Sequence, residues 1–109
     1  MHGPLEIPRD HPAFAGHFPR FPVLPGAVLL DEALQVIERE RGIDLTQWQI
    51  ASAKFQGAVR PGDALRLEHA APDGALIRFI ILAPDPSVRG KDRTVASGSL
   101  SRPAAPRAP

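Results

Sequence analysis

Cysteine is missing from all 109 residues. That excludes a disulfide framework, a thiolate nucleophile and a thiolate metal site, and it fits a reducing cytoplasm. Charge of one sign is missing too: 13 Lys and Arg stand against 12 Asp and Glu, for a formal net charge of +1. A chain this balanced lacks the basic excess that marks nucleic-acid binding, so no nucleic-acid partner is expected. No apolar run approaches the roughly 20 residues of a membrane span, and no charged-then-apolar leader opens the chain. The cytoplasm is therefore the expected location. There is no glycine-rich phosphate loop, no dinucleotide fingerprint and no Ser-His-Asp arrangement. No two histidines have metal-ligand spacing, so neither a metal nor an organic cofactor is expected.

Proline, by contrast, is abundant at 13 residues. Pro12, Pro19, Pro22 and Pro25, together with Gly16, make residues 11–25 an irregular loop, because proline locks φ and supplies no N–H. Pro103, Pro106 and Pro109 punctuate a stretch with nothing to pack. A single domain over residues 1–102 followed by a disordered tail at 103–109 is expected. A chain this long buries roughly 65% of its unfolded surface, which suffices for one core without staples.

Within that domain the patterning is α+β. Leu5-Glu6-Ile7 reads as a short strand ended by Pro8. Residues 26–41 follow a helical period, and Gly42 stands where a C-terminal cap belongs. On the helical wheel Leu29, Leu30, Ala33, Leu34, Val36 and Ile37 form one apolar arc. Asp31, Glu32, Gln35, Glu38 and Arg39 take the other side, shared with Ala27 and Val28. Trp48 to Val59 is apolar on both alternating faces, as a strand covered on two sides is. Residues 64–70, 75–82 and 94–100 read as further strands, with Pro61-Gly62-Asp63 and Ala71-Pro72-Asp73-Gly74 as turns. One helix with about four consecutive antiparallel strands predicts a helix packed on a curved sheet.

The chemistry concentrates between His17 and Gln35. Pro19, Pro22 and Pro25 stiffen the loop that carries His17, and a stiff loop holds an imidazole in one orientation. With an ordinary pKa near 6.5, histidine is a natural general base at neutral pH. Gly26 opens the helix, where unpaired N–H groups and the positive dipole end favour developing negative charge. Asp31 falls on the polar side of the helix. It is either a solvated carboxylate or an acid covered by a partner subunit, and Gln35, one turn on, is placed to orient it. Glu32 points about 100° away. His69 shares strand parity with Leu65 and Leu67, as a core or interface histidine does. His11, just before Pro12, flanks the proline loop.

Gly16-His17-Phe18-Pro19, Pro22-Val23-Leu24-Pro25-Gly26 and Asp31-x-x-x-Gln35 resemble the 3-hydroxyacyl-acyl-carrier-protein dehydratases of the hot-dog fold. Lys54-Phe55 and Arg60-Pro61-Gly62-Asp63 extend the resemblance in matching order, so that it spans residues 11–67. It implies one long central helix wrapped by a curved antiparallel sheet, in a dimer or an assembly of dimers with active sites at the subunit interface. By the same resemblance His17 is the catalytic histidine, Asp31 the catalytic carboxylate and Gly26 the amide that polarises the thioester carbonyl. Gln35 steadies Asp31, and Phe18, Phe21, Val28 and Phe55 line the acyl tunnel. His17 and Asp31 of one site would come from different subunits. The implied reaction is reversible loss of water from a 3-hydroxyacyl chain on acyl carrier protein, in fatty acid or related lipid and polyene biosynthesis.

The chain departs from the family pattern at named positions. Arg20 replaces the usual glycine, Phe21 a polar residue and Glu32 a small one. Little precedes the loop, as in the short dehydratase-like members. Alternatives of the same fold are a thioesterase, or an acyl-binding protein whose site Arg20 has disabled.

Overall fold

The structure is a computed structural model that describes residues 1–15 and 24–103. The tail expected from the prolines falls almost wholly on residues 104–109, outside the described residues. Strand β1 (His2–Leu5) leads to a 3₁₀ turn (Pro12–Ala15), helix α1 (Gly26–Arg41) and a second 3₁₀ turn (Leu45–Gln47). Strands β2 (Gln49–Phe55), β3 (Leu65–Asp73), β4 (Leu76–Pro84) and β5 (Asp92–Ser101) complete the chain. They form one five-stranded sheet in the order β1-β3-β4-β5-β2, with every neighbouring pair antiparallel.

Helix α1 keeps the bounds its period predicts. Gly42 ends it in the left-handed conformation (φ 63°, ψ 38°) with its N–H on the Glu38 carbonyl, and Arg39 and Arg41 face the negative end of the dipole. Leu29, Ala33 and Ile37, spaced by four, are its buried residues. They pack on Leu65 and Leu67 of β3, Ile77, Phe79 and Ile81 of β4, and Val95 and Leu100 of β5 in one core. Each such side chain contributes about 1.5–3 kcal/mol by leaving water. Val28, which the helical wheel sets on the polar side, packs half-buried against this core, because the first turn lies close over it.

Several strand expectations are corrected. The first strand is His2–Leu5, with Glu6 and Ile7 beyond it, because its register on β3 runs from His2 opposite Glu68 to Leu5 opposite Leu65. The 11–25 segment is not wholly irregular, since Pro12–Ala15 is a 3₁₀ turn. Strand β3 runs on through Pro72 to Asp73, and the turn falls at Gly74-Ala75, where Asp73 Oδ1 accepts from Ala75 N at 2.9 Å. The largest difference is β2. It was expected to be covered on both faces, yet all seven of its residues are exposed. Instead of following its neighbour in sequence it crosses to the far edge beside β5, and none of its residues enters the core.

Two backbone features fix that edge. In β5, Ile81 of β4 faces Ala96 and Leu82 faces Thr94, so Val95 is the extra residue of a bulge. Val95 and Ala96 are consequently both buried, and the Val95 carbonyl accepts from Gln56 N (2.8 Å) and Gly57 N (3.2 Å), bending the chain as it leaves β2. Farther along β5, Gly98 lies opposite Phe79, whose ring occupies the space a side chain would take. A Cβ on Gly98 would come within 2.7 Å of Phe79 Cζ and would also strike the Ser52 carbonyl oxygen.

His69 is as buried as its strand parity predicts, with 3% of its surface exposed. Arg41 Nε donates to its Nδ1 at 2.8 Å, joining the end of α1 to β3. Its Nε2 is enclosed without a hydrogen-bond partner among the described residues, 3.6 Å from Glu40 Oε1. Burial first, and the Arg41 guanidinium second, hold the imidazole below its ordinary pKa of 6.5, with Glu40 opposing them.

Gly98→Ala should lower unfolding free energy by about 1–3 kcal/mol in a denaturant melt, through overpacking against Phe79. His69 supplies a second check. Its folded pKa lies below the unfolded value, so the unfolded chain binds the extra proton. The contribution of neutral His69 is complete above pH 6.5 and is lost as pH falls through that value toward the lowered folded one. Thermal midpoints should therefore drop on acidification from about pH 7 to about pH 5, and drop less in His69→Gln.

Candidate active site

Asp31 lies about one and a half turns into α1, on the face opposite Leu29, Ala33 and Ile37. Burial of those three residues sets the rotation of the helix, and that rotation leaves Ala27, Asp31 and Gln35 exposed. Gln35 Nε2 donates to Asp31 Oδ2 at 2.9 Å, the contact that their i, i+4 spacing predicts. One carboxylate oxygen is thus held, and the other remains available to a substrate.

The N-terminus of α1 is built differently. Pro25 occupies the N-cap with φ −58° and ψ 142°, and its side chain offers no capping hydrogen bond. The N–H groups of Val28 and Leu29 turn back to the Pro25 carbonyl at 3.1 Å, so the amides ahead of them face outward from the helix. Phe55, the last residue of β2, lays its ring against Gly26: a Cβ there would sit 2.9 Å from Phe55 Cε1 and 3.0 Å from Cδ1. Glycine at this position admits the close approach of the ring, which a side chain would displace. Phe55 is 49% exposed, so the helix start has an apolar wall that is itself open.

Arg93 anchors the segment between β2 and β3 against this helix start. Its Nη2 donates to the Ala58 carbonyl at 3.0 Å and to Asp63 Oδ2 at 3.4 Å, and Asp63 Oδ2 also accepts from Arg60 N at 2.9 Å. Leu24 N donates to the Val59 carbonyl at 2.8 Å, with both side chains buried, which ties this segment to the chain leading into Pro25. Sequence reading placed Asp63 in a turn that belongs to the family resemblance and missed Arg93 altogether. No local pattern announces Arg93, whose partners lie about thirty residues away.

Of the site residues expected from the sequence, the structure brings Asp31 to Gln35 and Gly26 to Phe55. Val28 packs half-buried against the core. His17, Phe18 and Phe21 lie outside the described residues. Two hollows of about 580 and 340 Å³ flank Gln35, the first bordered by Glu38, Arg39 and Gly42, the second by Pro4, Glu6 and Glu32. A hollow of about 380 Å³ between Met1, Glu68 and Arg78 is lined by neither Gly26 nor Asp31. Among the described residues, no group of three or more His, Cys, Asp and Glu is placed to hold a metal ion. None of the described helices is long and apolar enough to cross a membrane.

Residues 1–97 match the family described as ApeI-like, ApeI dehydratase. The chain belongs to this family. The chain is also similar to the 3-hydroxyacyl-[acyl-carrier-protein] dehydratase FabZ of a Geobacillus strain, 34% identical over 105 residues, covering 90% of this chain and 66% of the relative. FabZ of Chlamydia caviae is 40% identical over 67 residues, covering 53% of this chain and 44% of the relative. The chain thus spans about half to two thirds of the length of these curated relatives. The dehydratase heterocomplex ApeI:P from Xenorhabdus doucetiae matches with a TM-score of 0.69 at 23% identity, over 92% of this chain and 83% of the other. That likeness is one of fold, and it makes the ApeI-like chain a hot-dog domain.

The contact of Gly26 with Phe55 is testable without an assay of activity. Gly26→Ala should cost about 1 kcal/mol of stability by displacing the ring, and Phe55→Ala should cancel that cost in a double-mutant cycle read by thermal melts.

Proposed function

We propose that this chain is a dehydratase that removes water reversibly from a 3-hydroxyacyl thioester carried on acyl carrier protein, and that it acts in the cytoplasm as a homodimer with two shared sites. The observation that carries this reading is the Asp31–Gln35 pair. It is an oriented carboxylate on a helix face left open in the single chain, in a family of dehydratases.

The geometry divides the labour in a way that suits the reaction. The outward amides at the start of α1 donate to the thioester carbonyl, and a donor aimed at developing enolate charge contributes about 3–4 kcal/mol. His17 takes the proton from C2. The electron pair of that C–H bond becomes the C2–C3 double bond while the C3–O bond breaks. Asp31 delivers a proton to the departing hydroxyl, which leaves as water. Proton return from His17 to Asp31, directly or through solvent, resets the site. Each acid–base group contributes about 10²–10⁴-fold. Phe55 and Val28 give the acyl chain an apolar surface beside the helix start.

Dimerisation supplies the rest of the site. Strand β2 has a neighbour on one side only among the described residues, and its exposed Ile50 and Phe55 are 50% and 49% accessible. An apolar edge strand of this kind is a template for a second copy. In this reading a second copy pairs along that edge and supplies the His17 that acts with Asp31.

The decisive measurement is enoyl formation from 3-hydroxyacyl thioesters, followed by absorbance. His17→Ala and Asp31→Ala should each reduce turnover by at least about 10²-fold. Mixing and re-annealing the two inactive variants should restore about a quarter of wild-type activity, because half of the dimers then carry one intact site. Activity retained in both variants, or no recovery on mixing, overturns the reading of a shared dehydratase site.

A further inference from the structure

His11 and Glu32 are a pair of titratable side chains near the site that the proposed chemistry leaves unused. Glu32 follows Asp31 in α1, at a position where the family pattern carries a small residue. Its Oε1 lies 3.5 Å from His11 Nε2, with the two side chains only 28% and 21% exposed. The imidazole is fixed from its other sides as well. Ala13 N donates to His11 Nδ1 at 3.1 Å, and the ring meets Phe14 edge-on with centroids 6.5 Å apart. Phe14 is buried in the core, and its N–H donates to the His11 carbonyl at 3.0 Å, closing the 3₁₀ turn.

These contacts have a chemical consequence. Because Nδ1 accepts from Ala13, the proton of the neutral ring sits on Nε2, the nitrogen that lies 3.5 Å from Glu32 Oε1. The ring therefore acts as a directed strut between the turn and the helix. Residues 12–15 run on to His17, and Glu32 is adjacent to Asp31 on the helix, so the strut spans the two halves of the proposed chemistry.

We propose that His11 and Glu32 are positioning residues: their contact holds the Pro12–Ala15 turn in place against the helix that carries Asp31. Neither residue touches the reacting atoms. The proposal rests on the dehydratase reading, and its test separates the two.

Turnover of a 3-hydroxyacyl thioester by the wild-type dimer is measured first; its absence defeats the dehydratase reading and this proposal with it. With turnover established, His11→Asn retains a short acceptor for Ala13 N–H but cannot reach Glu32, and Glu32→Ala restores the small residue. Each should lower kcat about ten-fold with KM within about two-fold, as misplacement of a catalytic group does. The double variant should be no slower than either single one, because one contact is lost only once. Glu32→Gln, which keeps the length of the side chain and a polar oxygen toward Nε2, should retain most of kcat. Melting curves confirm that each variant folds. Unchanged kcat in His11→Asn and Glu32→Ala, losses that multiply in the double variant, or a Glu32→Gln as slow as Glu32→Ala would each overturn the proposal while leaving the dehydratase reading in place.

Discussion

The rotation of α1 about its own axis is the constraint on which the site depends. Leu29, Ala33 and Ile37 are at most 2% exposed, and their burial against β3, β4 and β5 admits only one orientation of the helix. Turning the helix by one residue, about 100°, would replace Ala33 in the core with a larger or charged neighbour. Once that face is committed, Asp31 and Gln35 have to point outward. An exposed carboxylate held by an amide is thus a consequence of core packing.

The far edge of the sheet follows from backbone accommodation of a different kind. The extra residue at Val95 buries two successive side chains of β5 and turns its carbonyl toward the chain leaving β2. Gly98 lets Phe79 fill the layer where β2 meets β5. Both features aim the end of β2 at the start of α1, which is how Phe55 comes to rest on Gly26 although 29 residues separate them in the chain. The Arg93 contacts with Ala58 and Asp63 then hold the following segment in place.

Charge is used sparingly inside this frame. His69, beneath the end of α1, is kept neutral by burial and by Arg41, so it behaves as a core polar group with one satisfied nitrogen. The charged networks that remain, such as Arg66 with Glu68 and Asp92, lie on the exposed face of the sheet, where such pairs contribute little to stability. The stability of the domain therefore resides in its apolar core and leaves the polar face of α1 free for function.

Local patterning was enough to read the helix from Gly26 to its Gly42 cap, the buried parity of Leu65, Leu67 and His69, and the pairing of Gln35 with Asp31. Each depends on periods of 3.6 or 2 or on a single φ > 0 position, all of which are local properties of the chain. The motif between Gly16 and Gln35 likewise carried the family, because its residues are consecutive and their spacing survives in sequence. Tertiary structure alone decided that β2 crosses to the edge beside β5, and that its apolar faces stay open. It also decided that Phe55 lies on Gly26, that Arg93 pins the 56–63 segment and that His11 reaches Glu32. Those contacts join residues 20 or more positions apart, and their geometry is set by strand order, a bulge and the packing of α1. No periodicity along the chain encodes them, since each exists only once the sheet has closed over the helix.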